Sequence, residues 1–179
     1  MKTICLVVQN VYNIDPRVRR KAEALAAAGY SVDVLALCPQ KGARSYSVNG
    51  VNVRTLSLGK KRGSLGRYFF EYLAFFLWVA FRVPYQMMAR HYVVIDVNSL
   101  PDFLIFAPIV ARWMGAKLVL DLHEITPEFF MSKYGIPENS LTIRFLAWLE
   151  RISVKFADRV MTINEPIEEL LARDRKSVV

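Results

Sequence analysis

Apolar runs and polar stretches alternate along this chain. Thr3–Gln9 is a continuous run rich in Val, Ile and Leu, the pattern of a parallel strand buried on both faces. Asp15 and Pro16 supply a helix cap and a first helical residue. Ala22, Leu25, Ala26 and Ala28 carry that helix to Gly29, which stops it. Ser31–Leu37 reads as a second strand. Val51–Leu58 reads as a third, entered through a turn at Asn49-Gly50. A long apolar helix is predicted from about Arg67 to Arg90, kinked or divided at Pro84. Tyr92–Val97 is a fourth strand, Pro101–Met114 a helix and Lys117–Leu122 a fifth strand. Residues 123–138 read as a loop. A helix from Asn139 or Ser140 to Phe156, a strand Arg159–Ile163 and a helix Glu165–Ala172 complete the pattern. No internal repeat is visible.

Strands separated by helices require a parallel sheet with right-handed crossovers. The expected class is α/β, a doubly wound parallel sheet with helices on both faces. Ligands in such sheets bind beyond the carboxyl ends of the strands. That rule selects the loops at 10–15, 38–47, 98–102 and 123–130, together with Asn164.

Composition narrows the picture. In 179 residues, 54% hydrophobic and 22% charged, with 8 Gly and 8 Pro, there is enough apolar material for a sizeable core, and disorder is excluded. Cys5 and Cys38 are too few for a disulfide framework or a four-ligand zinc site and read as small buried hydrophobes. The N-terminus lacks a signal-peptide apolar region, so the chain is expected in the cytoplasm.

The charge is lopsided. Residues 1–90 hold 14 Lys/Arg against 4 Asp/Glu, whereas residues 91–179 hold 10 against 12. A basic half suits an anionic partner or simply a soluble basic face. The basic residues are not interleaved with aromatics in a nucleic-acid-binding pattern, so nucleic acid is not expected.

The first loop, N-V-Y-N-I-D-P-R-V-R-R, opens a helix after a buried strand, where a phosphate can meet backbone N–H groups. It has no glycine, so a dinucleotide fingerprint is absent. Asn13, Asp15 and Arg17 are candidates to bind a phosphate or another ligand; Arg17, Arg19 and Arg20 splayed into solvent is the plainer reading. At the end of the fifth strand, V-L-D-L-H-E, period-two alternation puts Asp121 and His123 on one face. Asp121 can orient the imidazole and His123 can donate to a ligand oxygen; a structural histidine is the alternative. Glu124 and Glu128 add carboxylates near the same rim. Asn98 and Ser99, after the fourth strand, either bind a hydroxyl-rich ligand or cap the next helix.

The helix of 67–90 is apolar almost all round. Ten consecutive apolar residues, Tyr72–Phe81, fall short of the ~20 a spanning helix needs. Such a helix is buried in protein or touches lipid or a partner. With the basic loop Lys60, Lys61 and Arg62 beside it, Phe69, Phe70, Phe76 and Trp78 are candidates to face an anionic membrane.

Taken in order, D-P-R-V-R-R-K-A-E-A-L-A-A-A-G-Y-S-V-D-V-L, Y-V-V-I-D-V-N-S-L-P-D, G-A-K-L-V-L-D-L-H-E and A-D-R-V-M-T-I-N-E resemble the N-terminal domain of retaining glycosyltransferases of family 4, over about residues 1–173. The D-P-R-V form, with Asn13-Ile14-Asp15-Pro16 where many members have paired glycines, looks like a branch of that family. The resemblance implies a Rossmann-like acceptor-binding domain, half of a GT-B architecture, facing a donor-binding domain across a cleft. It implies a nucleotide-sugar donor, a glycan or lipid-linked acceptor, and polysaccharide biosynthesis. His123 would lie near the reacting carbon, and neither metal nor cofactor is implied. Residues 174–179 would begin a linker, with the donor-binding domain beyond the sequence and no transfer activity without it. Localisation would be cytoplasmic, peripheral on the inner face of the membrane. Two alternatives stand: a non-catalytic membrane-associated subunit of a split transferase, and a stand-alone anion- or nucleotide-binding module.

Overall fold

The computed structural model describes residues 1–38, 44–58, 65–99, 101–123 and 125–162, with backbone alone for 65–69. Among the described residues seven strands form one sheet: β1 (Thr3–Val11), β2 (Ser31–Leu37), β3 (Ser45–Val48), β4 (Val51–Leu56), β5 (Tyr92–Asn98), β6 (Lys117–Leu122) and β7 (Arg159–Thr162). Their order is β3-β4-β2-β1-β5-β6-β7. β1 with β2, β2 with β4 and β6 with β7 pair in parallel; β3 with β4 is antiparallel. The α/β class with a doubly wound sheet expected from the apolar runs, Rossmann-like as the resemblance implied, is the one observed, with one antiparallel edge.

That edge strand departs from the sequence expectation. Ser45–Val48 has two apolar residues among four and only half-buries them, so no run announces it. Asn49 and Gly50 both take positive φ, 50° and 79°. This primed turn joins two paired strands rather than merely entering one.

The chain divides into two compact units, Met1–Asp96 with Ala107–Lys117, and Val97–Phe106 with the chain from Leu118 on. In the first, α1 (Pro16–Ala27) starts on the Asp15 carboxylate, which accepts from the N–H groups of Arg17 and Val18. It ends where Gly29, at φ +88°, donates to Ala26 O and Tyr30 N donates to Leu25 O, satisfying the last carbonyls. Val18 and Ala22 of α1 pack on Ile4, Leu6, Val8, Val32, Val34, Val51 and Val53. Alternation sends Cys5, Asp33 and Arg54 to the other face. Cys5 is a buried small residue as expected, whereas Cys38 is half-buried. Desolvation, then the Asp33 and Asp96 carboxylates, pushes the Cys5 thiol up.

On that second face lies α2 (Leu65–Arg90), which runs unbroken through Pro84, not divided there. Phe75, Val79, Val83, Gln86 and Met87 are its buried side. Opposite them Phe70, Leu73, Leu77, Phe81, Tyr85 and Met88 are exposed, one stripe at helical spacing. Asp33, fully buried, gathers the Tyr92 hydroxyl at 2.7 Å, Asn52 Nδ2 at 3.1 Å and Arg90 at 3.3 Å. Lys21 pairs with Asp96 at 2.6 Å.

The helix expected over Pro101–Met114 is instead a 3-10 turn, Asp102–Phe106, and a short α3 (Ile109–Trp113). Pro108 stands between them as N-cap, its missing N–H closing one segment before the next begins. In the second unit, the expected loop 123–138 contains α4 (Thr126–Tyr134), ended by Gly135 at φ +63°. Pro127 there begins a helix rather than breaking one. Ser140 caps α5 (Leu141–Phe156) by accepting from Ile143 N, as anticipated. Phe156 of α5 meets Phe106 with ring centroids 4.8 Å apart. Asn164 and the helix expected over Glu165–Ala172 lie outside the described residues.

Candidate functional site

The carboxyl ends of β5 and β6 assemble the clearest constellation of polar side chains. The Ser99 N–H donates to Asp121 O at 2.9 Å, and the His123 N–H donates to Ser99 Oγ at 3.1 Å. A side-chain oxygen thus takes over the backbone ladder as the strands separate. His123 Nε2 lies 3.3 Å from Asn98 Oδ1 and 3.5 Å from Asp121 Oδ2. With two oxygens facing it, Nε2 is assigned the hydrogen. The imidazole is thereby fixed on one edge by β5 and β6, its side chain 9% exposed.

Immediately downstream, α4 is tied down by two carboxyl groups. Thr126 N donates to Glu150 Oε2 at 2.9 Å, and Thr126 Oγ1 donates to Asp102 Oδ2 at 2.5 Å. Asp102 is buried. Burial pushes the Glu150 carboxyl up to about 7; the Asp102 carboxylate and, less, Glu128 push the same way, and the Thr126 N–H opposes them. The segment carrying His123 therefore runs between two anchors, Ser99 before it and Thr126 after it.

Of the residues selected from sequence, His123, Asn98 and Ser99 come together, with Asp121 where alternation put it. Ser99 holds the His123 backbone. Glu124 lies outside the described residues, and Glu128 is exposed on α4. Thr126 and Glu150 were not anticipated. Glu150 sits in the middle of an amphipathic helix and carries no local signature.

In the first unit, Asp15 does its work as a helix cap: Oδ1 accepts from Arg17 N and Val18 N, both at 3.2 Å, and Asn10 Nδ2 donates to Oδ2 at 3.4 Å. Asn13 and Arg17 are exposed beside it. The N–H groups expected to meet a phosphate there are occupied by Asp15 itself. Phe70 is exposed on α2, but Phe76 and Trp78 are half-buried, the Trp78 ring tilted against Phe75 with centroids 5.6 Å apart. Lys60, Lys61, Arg62 and the Phe69 side chain lie outside the described residues. Among the described residues no group of three or more His, Cys, Asp or Glu is placed to hold a metal, and no helix is long and apolar enough to cross a membrane.

Among solved structures, sucrose-phosphate synthase from Thermosynechococcus elongatus matches 100% of this chain and 47% of its own, with a TM-score of 0.73 at 18% identity. Os79 from O. sativa, solved in complex with UDP, matches 99% of this chain and 51% of its own, with a TM-score of 0.61 at 15% identity. At these identities the likeness is one of fold. The chain spans about half the length of these two solved proteins. No curated protein matches the sequence. Residues 14–177 match the family described as Glycosyl transferase 4-like domain, so the chain belongs to the glycosyl transferase 4-like domain family.

Proposed function

We propose that this chain is the acceptor-binding half of a glycosyltransferase that moves a sugar from a nucleotide sugar to a glycan or lipid-linked acceptor, with retention at the anomeric carbon. The observation that carries the reading is His123, held at the carboxyl end of β6 between Asn98, Asp121 and Ser99. Ligands of open α/β sheets bind at that rim. With Nε2–H turned to Asn98 and Asp121, donation to an oxygen of the sugar or its leaving phosphate falls to Nδ1 and requires the imidazolium, protonated on both nitrogens. A donor already held in place stabilises developing charge without reorganising. Asp121 and Asn98 orient the ring; Asn13 and Arg17, exposed at the end of β1, are the candidate acceptor contacts of the first unit.

Transfer needs donor and acceptor held together across a cleft. Because the chain spans about half of the solved proteins it resembles, it is inactive alone in this reading and acts with a donor-binding domain. The D-P-R-V segment marks the branch. The exposed stripe of Phe70, Leu77 and Phe81 on α2, following Lys60, Lys61 and Arg62 in sequence, supports peripheral attachment to an anionic membrane, where a lipid-linked acceptor of polysaccharide synthesis would be met on the cytoplasmic side.

The test is transfer from nucleotide sugars by the chain joined to its donor-binding domain, with the anomeric configuration of the product read by NMR. His123→Ala is expected to lower kcat about 10²–10³-fold while the melting temperature holds. Unchanged turnover in a folded His123→Ala protein would assign the histidine to structure.

A further inference from the structure

The first unit contains a second polar site that the transfer reading does not use. Arg54 of β4 and Arg82, Tyr85, Gln86 and Arg90 of α2 line a cavity of about 490 Å³. No carboxylate among the described residues lines it. Arg90 is matched from below by Asp33, whose oxygens are also taken by Tyr92 and Asn52. Arg82 stacks on the Tyr85 ring at 5.5 Å. Arg54 has no anionic partner among the described residues, and its buried Nε has no hydrogen-bond acceptor. Gln86 is 4% exposed, and neither its amide nitrogen nor its amide oxygen has a partner.

The unpartnered groups of Arg54 and Gln86 are costly. A buried amide or guanidinium N–H without an acceptor loses its water and gains nothing in return, and three guanidinium groups around one cavity repel each other. The C-terminal end of α2 favours a cation such as Arg90, but it does not account for Arg54, which comes from a strand. Nor does packing account for Gln86, which shares its helix face with Phe75, Val79 and Val83; a leucine would fill that position without a polar penalty. One ligand resolves all of it: an anion with several oxygens, accepting from the forked guanidinium groups and from the Gln86 amide.

The surroundings narrow the anion further. Trp78, Phe81, Arg82 and Tyr85 line an adjoining hollow of about 430 Å³, with Phe81 and Tyr85 exposed. Arg82 and Tyr85 belong to both cavities. The ligand chemistry is therefore a phosphoryl group carried on an apolar or aromatic body. We propose that Arg54, Arg82, Gln86 and Arg90 form a phosphoryl-binding site, separate from the His123 constellation. Arg90 lies just before β5 begins, whereas Asn98 ends that strand. The phosphoryl group is either free in solution or the headgroup of an anionic amphiphile.

The test uses the full chain and does not depend on sugar transfer. Inorganic pyrophosphate is titrated calorimetrically, and flotation is measured with phosphatidylcholine vesicles with and without phosphatidic acid. Arg54→Gln and Arg82→Gln are each expected to weaken binding about ten- to hundredfold. Arg54→Lys, which keeps the charge and loses the fork, is expected to weaken it too. Gln86→Leu is expected to weaken binding while the free chain melts at the same or a higher temperature, which a purely structural glutamine would not do. Pyrophosphate binding lost in these variants assigns a soluble phosphoryl ligand. Binding to phosphatidic acid vesicles alone, lost in the same variants, assigns a lipid headgroup. Failure of both probes to bind, or an Arg54→Lys protein that binds like the parent, overturns the site.

Discussion

The backbone N–H of His123 is held at 3.1 Å by the side-chain oxygen of Ser99, a residue of the neighbouring strand end. The position of the candidate catalytic group is thus set by a hydroxyl that itself need not touch a ligand. Ser99→Ala removes the acceptor and is expected to cost ~1 kcal/mol of stability. In an enzyme completed by its donor-binding domain, kcat should fall further than that stability loss explains, because small misplacements of a reacting group are costly in rate. Ser99→Thr, which keeps the hydroxyl, should restore both. Chemical denaturation and steady-state kinetics on the three proteins check this.

Glu150 predicts a pH dependence of stability with a definite sign. Its folded-state value of about 7 lies above the ordinary 4.5, so the folded chain keeps the proton longer than the unfolded one. The contribution is fully present below about 4.5 and is lost as pH rises toward 7. Each pH unit in that window removes ~1.4 kcal/mol at most from this group. Glu150→Gln keeps an acceptor for Thr126 and cannot ionise. Its melting temperature should exceed the parent's at pH 8, and the two should converge near pH 4.5.

Asp33 is fully buried with three partners, Tyr92, Asn52 and Arg90. Asp33→Ala leaves the buried Tyr92 hydroxyl without its acceptor and should destabilise the first unit by ~3 kcal/mol. Asp33→Asn should cost less, since it preserves an oxygen for Tyr92. Urea midpoints at constant slope measure the difference.

For membrane attachment, the chain is expected to float with anionic vesicles and not with neutral ones at moderate salt. Basic residues near such a surface contribute ~1 kcal/mol each and are screened within a Debye length. Replacing Lys60, Lys61 and Arg62 by Gln should therefore weaken binding more as salt rises. Replacing Phe70, Leu77 and Phe81 by Ser should weaken it even at low salt, because their contribution comes from apolar burial. Binding indifferent to the serine substitutions would remove α2 from the interface.

Much of the sheet was legible because its inner strands carry short apolar runs rich in Val, Ile and Leu, as in Thr3–Gln9 and at Leu118–Leu120. β3 was not, since Tyr46 and Val48 alternate with exposed serines in too short a segment to show a period. α4 was hidden by Pro127, a residue whose meaning depends on whether a helix is starting or continuing. At the site, Asp121 and His123 could be paired from strand alternation alone. Glu150 and Thr126 could not, because their contact joins positions 24 residues apart on two helices. Arg54 and Arg82 likewise meet around one cavity only through the packing of α2 beside β4, a relationship no local pattern encodes.

Among the described residues the sheet's two margins are β3 and β7, four residues each, and these offer another molecule very little unpaired backbone to extend. Aggregation by strand addition needs a long, flat edge, and among the described residues neither margin supplies one. When concentrated samples of this chain self-associate, the contact to suspect is the greasy stripe of α2 rather than the sheet. Mild detergent, which covers side chains but does not compete for backbone ladders, should then disperse it.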